Sequence, residues 1–107
     1  MTEDAKLVAL RRGMLEPLVL ASLEQHRRYA AEIVEALTAC DFPVLEGTLY
    51  PLLNRLRRDG LVEHEWQEST SGPPRKYLAL TADGHTQLER FRDYWTSLTH
   101  TLTNVGN

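Results

Sequence analysis

The amino-acid sequence predicts a mainly α-helical protein with one small β-hairpin, an α+β fold class. Three observations lead to this prediction. Apolar residues recur three and four positions apart through much of the chain, as they do along one face of an α-helix. Residues 61–67 instead place Val62, His64 and Trp66 on one face of an alternating pattern, which is typical of a strand. Residues 69–74 contain Gly72-Pro73-Pro74, a combination that favours a loop between two strands.

The predicted order of elements is helix, helix, helix, hairpin, helix. Pro17 fits a first helical turn but kinks a helix interior, so a short arm and then a new helix are expected around it. Gly60 is placed to end the third helix in the left-handed conformation, and Thr81 is a good N-cap for the last helix. The predicted elements are a helical arm from Leu7, helices at about 14–25, 29–39 and 47–59, strands at 61–67 and 75–80, and a last helix from about 81 to 105.

Three helices followed by a two-stranded hairpin form a winged helix-turn-helix, in which the third helix is the recognition element and the hairpin is the wing. With 107 residues, the chain has the length of a single domain. We therefore predict a winged helix-turn-helix with its N-terminal helical arm at 1–82 and a C-terminal dimerisation helix at 83–107, together forming one compact unit.

Composition predicts an ordinary globular protein of the cytoplasm. Hydrophobic residues make up 42% of the chain, but no apolar run approaches the roughly 20 residues that span a bilayer. The first four residues are acidic where a secretory signal is basic. Because Cys40 is the single cysteine, an intrachain disulfide and a cysteine-rich zinc site are both excluded. Cys40 is either a packed or otherwise inert thiol or a redox sensor, and its neighbour Asp41 does not favour the thiolate that a sensor needs.

The formal net charge is −3, but positive charge is concentrated in two segments. Residues 47–58 contain three arginines and no acid, and residues 69–82 contain Arg75 and Lys76 and no acid. Together these segments carry +5, which leaves 7 basic and 15 acidic residues, or −8, for the rest of the chain. Such a distribution is what a local DNA-facing surface on an acidic body requires.

The third helix carries the first group of predicted DNA contacts. Since Pro51 fits best in a first turn, the helix is expected to begin near Gly47 and to expose its N-terminus to a phosphate. Its leucines form an inward stripe, and polar residues lie on the other side. The predicted contacts from this helix are Thr48, Tyr50, Asn54 and Arg55. Arg55 suits either a guanine edge or a phosphate. The alternatives are a plain solvated surface for all four residues and, for Tyr50, packing against the wing.

The predicted wing supplies the second group. Arg75 and Lys76 come directly after the glycine and prolines of its tip, and a cationic wing can hold phosphates or enter the minor groove. A solvated charge pair on a hairpin is the alternative. We expect Trp66 to be a packing residue at the base of the wing.

The last helix carries an apolar seam with alternating spacings of three and four. Its residues are Leu88, Phe91, Trp95, Leu98, Leu102 and Val105. This is the a/d period of helices that pair in a coiled coil, so the seam predicts a homodimer. The alternative is that the same stripe packs on the chain's own first helix. A dimer would present two recognition helices to a roughly two-fold symmetric DNA site.

Three blocks of residues, in order and correctly spaced, resemble the signature of PadR-type transcriptional regulators. The second helix contributes Tyr29, Glu32 and Ile33, the third begins with Gly47-Thr48-Leu49-Tyr50-Pro51, and the wing contains Gly72-Pro73-Pro74-Arg75-Lys76-Tyr77. The resemblance extends over roughly residues 10–105. One departure is that Ala30 and Ala31 stand where the family often has glycine and tyrosine, which changes packing or a groove near the second helix.

This resemblance implies a DNA-binding repressor that pairs through its first and last helices. It also implies a flat, hydrophobic effector at the dimer interface, where an indole is a good stacking surface. The residues expected to line such a pocket are Trp95, Phe91, Leu88, Leu98 and Leu20. The alternative is that Trp95 is buried in a solid interface.

Other functions have less support in the sequence. Four scattered histidines lack metal-ligand spacing, and neither a phosphate-binding loop nor a nucleophile elbow is present. We therefore expect no catalysis, no cofactor and no metal. A winged-helix module that binds proteins without binding DNA remains the main alternative, because the net charge is negative.

Overall fold

The computed structural model describes residues 4–107, which form four helices and one antiparallel hairpin. The elements are α1 (Ala5–Ser22), α2 (Ala30–Ala39), α3 (Glu46–Arg58), β1 (Val62–Ser69), β2 (Gly72–Leu80) and α4 (Ala82–Asn104). The predicted order and fold class are confirmed. Residues 1–3, on which the expectation about a secretory signal partly depends, lie outside the described residues.

The first helix differs from the prediction of an arm followed by a new helix. α1 is one continuous helix that contains Pro17 in its interior. A proline ring meets the carbonyl four residues earlier, which here belongs to Gly13, and glycine tolerates the local backbone adjustment. The helix also ends before residue 25, because the N–H groups of Leu23 and Glu24 donate to the carbonyls three residues earlier, at 3.1 Å each.

The third helix begins at Glu46, so Pro51 is its sixth residue and lies beyond the first turn where it was expected. The C-terminus is as predicted. Gly60 has a φ of 77°, and its N–H donates to the carbonyl of Arg57 at 3.1 Å while the N–H of Leu61 donates to that of Leu56 at 2.9 Å. These two bonds define a Schellman cap.

One hydrophobic core joins all of these elements. Its buried residues are Val19, Leu20, Leu23, Ala30, Ile33, Leu37, Leu49, Leu52, Leu53, Leu56, Val62, Leu78 and Leu88. The four leucines of α3 are the inward stripe that the sequence predicted, and they fix which sides of α3 remain available to a partner.

The hairpin is longer than predicted. Its strands pair from Val62 with Leu80 to Gln67 with Arg75, and the register then shifts before Ser69 pairs with Gly72. The two prolines of β2 lie in this shifted segment, where no ladder hydrogen bond is required of them, so the expectation that they belong to a loop is wrong. A backbone bridge between Arg28 and Leu78 ties the segment before α2 to β2.

The last helix leaves the core after its first turns. Thr81 caps it as predicted, accepting from the N–H of Gly84 at 3.0 Å. Leu88 is 2% exposed, so it belongs to the chain's own core and not to a seam between chains. Further along, Trp95 is 47% exposed, Leu98 42% and Leu102 82%. The prediction that the whole stripe faces a second chain is therefore wrong for its first member, while its last four members are exposed.

Candidate nucleic-acid interface

A groove of about 300 Å³ lies between α3, the start of α2 and the hairpin, and we call it the wing groove. Four of the six predicted DNA contacts line it, namely Tyr50 and Asn54 from α3 and Arg75 and Lys76 from β2. The other lining residues are Tyr29, Ala30, Ala31, Glu46, Leu53, Arg57, Trp66 and Leu78. The fold thus brings the recognition helix and the wing to one surface.

Aromatic side chains hold Arg75 in this groove. Its guanidinium carbon lies 4.6 Å from the centroid of the Tyr29 ring, a cation–π contact. The Tyr29 ring in turn meets the edge of Tyr77 at 5.4 Å between centroids and an interplanar angle of 89°. Because stacking leaves the guanidinium donors unused, Arg75 is oriented and still able to bind a phosphate or a base edge.

A second cation of the groove is held by the wing. Arg57 Nη1 lies 3.1 Å from His64 Nδ1. Desolvation, together with the positive charges of Lys76 and Arg57, lowers the pKa of His64 below its ordinary value of 6.5. At neutral pH the ring is therefore uncharged and can accept a hydrogen bond from Arg57.

The hydroxyl group of Tyr50 is also held in place. It donates to Glu46 Oε1 at 2.8 Å, and this hydrogen bond is the main cause of the raised pKa of Tyr50. The side chain is 51% exposed. It lines the wing groove together with residues of the wing.

The remaining two predicted contacts, Thr48 and Arg55, lie on the opposite flank of α3. They line a crevice of about 370 Å³ between α1, α3 and α4, which we call the α1–α3 crevice. There Arg55 Nη2 lies 3.0 Å from Glu16 Oε1. The six predicted residues therefore form two groups separated by the width of α3.

Sequence reasoning missed three residues of the wing groove, Tyr29, Arg57 and Trp66. In the sequence Arg57 stands only as one of the three arginines of the cationic segment 47–58, without a predicted contact of its own. Trp66 was expected to pack at the base of the wing, but it is 66% exposed and lines the groove. It shares a strand face with His64, and the alternating pattern alone does not show that this face lies toward α3.

A larger apolar groove of about 760 Å³ lies between α1 and α4, and we call it the α1–α4 groove. Of the predicted effector-lining residues, Leu88, Phe91, Trp95 and Leu98 line it. Leu20 does not, because its side chain points into the core and is fully buried. The groove is completed from α1 by Ala9, Leu10, Gly13, Met14, Pro17, Leu18 and Ala21.

Comparison with known proteins identifies the family to which the sequence belongs. The sequence matches the Transcriptional regulator PadR-like family over residues 19–90, more than half of the chain. The chain belongs to the PadR-like family of transcriptional regulators.

Solved structures of PadR-like proteins resemble the chain closely. A PadR family transcriptional regulator from Eggerthella lenta is 34% identical with a TM-score of 0.85, covering 94% of this chain and 88% of its own. A PadR-like transcriptional regulator from Bacillus cereus is 35% identical with a TM-score of 0.81, covering 91% and 95%. Bacillus subtilis PadR in complex with operator DNA is 17% identical with a TM-score of 0.67, covering 73% and 46%, which shows a shared fold alone.

Three further features of this PadR-like chain concern its helices, its metal-ligating residue types and its cysteine. Within residues 4–107, every helix is too short or too polar to cross a membrane. The same residues contain no group of three or more His, Cys, Asp or Glu side chains placed to hold a metal ion. Cys40 is exposed at the end of α2, so its thiol is not packed; the alternatives of an inert thiol and a redox sensor are not tested by this exposure.

Proposed function

We propose that this PadR-like chain binds double-stranded operator DNA through α3 and the wing groove and acts in the cytoplasm as a repressor. One observation carries the proposal. Arg57, Arg75 and Lys76, from two distant parts of the sequence, meet beside Tyr50 and Asn54 in a single groove. Cations for phosphates, placed next to side chains that can hydrogen-bond to base edges, are what DNA recognition requires.

The residues have different roles in this proposal. Asn54 can bind an adenine edge with both atoms of its amide, and Tyr50 offers a hydroxyl. Arg75 and Lys76 are suited to phosphates or to the minor groove beside the wing. Thr48 lies near the N-terminus of α3, where helix N–H groups favour an anion. The sequence predicts a DNA contact for Arg55 as well, but its guanidinium is paired with Glu16 on the other flank of α3.

We further propose that a second copy of the chain covers the exposed part of α4. Trp95, Leu98, Leu102 and Val105 are all exposed on this helix, and they continue the a/d spacing of a helix pair. The first turns of α4 pack into the chain's own core through Leu88. In this proposal the exposed turns that follow pack against the second copy. The boundary at 82/83 between DNA-binding and dimerisation segments stays a prediction.

The α1–α4 groove supports one finer proposal, that a flat hydrophobic effector binds there and releases the DNA. Its volume falls within the range of small-molecule sites, roughly 300–1,000 Å³. The half-exposed indole of Trp95 offers a stacking surface in the groove. In this proposal a second chain closes the groove without filling it.

The DNA-binding proposal is tested by measuring affinity for a bound fragment over a range of salt concentrations. Each phosphate contact adds about 0.9 to the magnitude of the slope of log K against log salt. Arg75→Ala and Lys76→Ala should each weaken binding and reduce the slope by about that amount. The matched control is Arg90→Ala, an exposed arginine of α4 away from the groove. An equal effect of Arg90→Ala would show that only net charge matters.

The effector proposal is tested by tryptophan fluorescence. Planar aromatic compounds should quench the emission, and the response should be lost in Trp95→Ala but kept in Trp66→Ala, because Trp66 lines the wing groove instead. A full panel of such compounds without any response would contradict the proposal and favour a solid interface at Trp95.

The alternative function, a winged-helix module that binds proteins, predicts a different outcome of the DNA experiment. Such a module would bind no genomic fragment, or would bind without the salt dependence that release of counterions causes.

A further inference from the structure

The pair formed by Glu16 and Arg55 connects α1 to the recognition helix across 39 positions of sequence. Arg55 Nη2 lies 3.0 Å from Glu16 Oε1. The Glu16 side chain is 24% exposed and the Arg55 side chain 54% exposed. The carboxylate is therefore set into the α1–α3 crevice, while the guanidinium reaches it from the more open side.

Glu16 and a DNA phosphate are competing acceptors for this guanidinium. Both are anionic oxygens, and both bind arginine through charge-assisted hydrogen bonds. While Glu16 holds Arg55, the pair carries no net charge, so α3 presents one cation fewer on this flank than its sequence suggests. The contrast is Arg75, which contacts the uncharged ring of Tyr29 and, within the described part of the chain, has no carboxylate at ion-pair distance.

We propose that Glu16 is a positioning residue that holds Arg55 away from the DNA. The inference rests on the proposed DNA-binding function and deepens it. In the wild-type protein, Arg75 and Lys76 contribute phosphate contacts and Arg55 contributes none until Glu16 releases it. Gly13 and Phe91 line both this crevice and the α1–α4 groove. The ion pair between Glu16 and Arg55 therefore lies on the turns of α1 that also form one wall of the α1–α4 groove.

The test is a double-mutant cycle on the full-length protein with a bound DNA fragment, measured as affinity against salt. E16Q should bind more tightly than wild type at low salt, and its slope should be steeper by about 0.9, the value of one added phosphate contact. Its advantage over wild type should consequently shrink about threefold between about 50 and about 200 mM salt. Both effects should disappear in the double variant E16Q/R55A. R55A alone should leave the wild-type slope unchanged, which tests the proposal even where Glu16 cannot be replaced.

Two comparisons make the result specific. E24Q is the matched control, because Glu24, two residues after α1, is likewise in an ion pair, with its Oε2 2.7 Å from Arg92 Nη1 on α4, and its replacement changes the net charge equally. Arg12 lines the same crevice as Glu16 and could also gain a phosphate contact when Glu16 is replaced. A gain due to Arg12 would persist in E16Q/R55A, whereas a gain due to Arg55 would be lost there.

The proposal is overturned if E16Q weakens binding, if E24Q gives the same gain, or if the gain persists without Arg55. A wild-type protein that binds no DNA would overturn the proposed function together with this inference. Salt-dependent binding by wild type with no response to E16Q would overturn this inference alone.

Discussion

Gly84 lies in the first turn of α4, directly against the chain that enters β1. A Cβ atom at this position would overlap the main-chain oxygen of Leu61 and meet a methyl group of Leu80 at 3.0 Å. Gly47, in the first turn of α3, has open space around the same position. A side chain is therefore excluded at Gly84 and has room at Gly47, although both glycines stand near the start of a helix in the sequence.

We predict that Gly84→Ala destabilises the protein by about 1–3 kcal/mol, the usual cost of overpacking. Gly47→Ala should instead stabilise it by about 0.4–1 kcal/mol, because alanine restricts the unfolded chain. Urea unfolding at one protein concentration measures both changes. A neutral or stabilising Gly84→Ala would show that α4 does not approach Leu61 this closely.

Individual residues were also where sequence reasoning was weakest. The burial of Leu20, the exposure of Trp66 and the pairing of Arg55 with Glu16 all depend on contacts between residues far apart in the chain. A helical pattern states which face of a helix is apolar. It does not state which neighbouring element will lie against that face, so these side chains could not be placed in advance.

At the scale of elements, the sequence was far more informative. The helix order, the capped ends of α3 and α4 and the strand pair follow from local rules of capping and alternation. Three expectations about proline differ from the structure: a break in α1 at Pro17, a first-turn position for Pro51, and a loop at the wing prolines. Each expectation places proline at the end of an element, whereas α1 and α3 continue through their prolines and a register shift accommodates those of the hairpin.

The exposed end of α4 leads to a prediction about assembly. Leu102→Arg should weaken dimer formation by more than about tenfold, because burying an unpaired guanidinium in an apolar seam costs several kcal/mol. His100→Arg places the same charge on the opposite face of the helix and should leave the dimer intact. Sedimentation equilibrium measures both constants. A monomeric wild type, or an unaffected Leu102→Arg dimer, would contradict the proposed pairing.

For the whole molecule, the arrangement of charge matters more than the net value of −3. The two cationic segments of the sequence are joined in the wing groove through Arg57, Arg75 and Lys76, while Arg55 is neutralised by Glu16. This PadR-like chain therefore gathers three cations in the wing groove although its net charge is negative. The segregation of charge was visible in the sequence, but its division between two flanks of α3 was not.

The central claim, that this surface binds operator DNA, is tested most directly by selecting genomic fragments with the purified wild-type protein and measuring the affinity of the selected fragments against salt. The account predicts discrete fragments with roughly two-fold symmetric half-sites about one helical turn apart, and an affinity that falls steeply and linearly on logarithmic scales. Failure to enrich any fragment, or an affinity that does not change with salt, would contradict it.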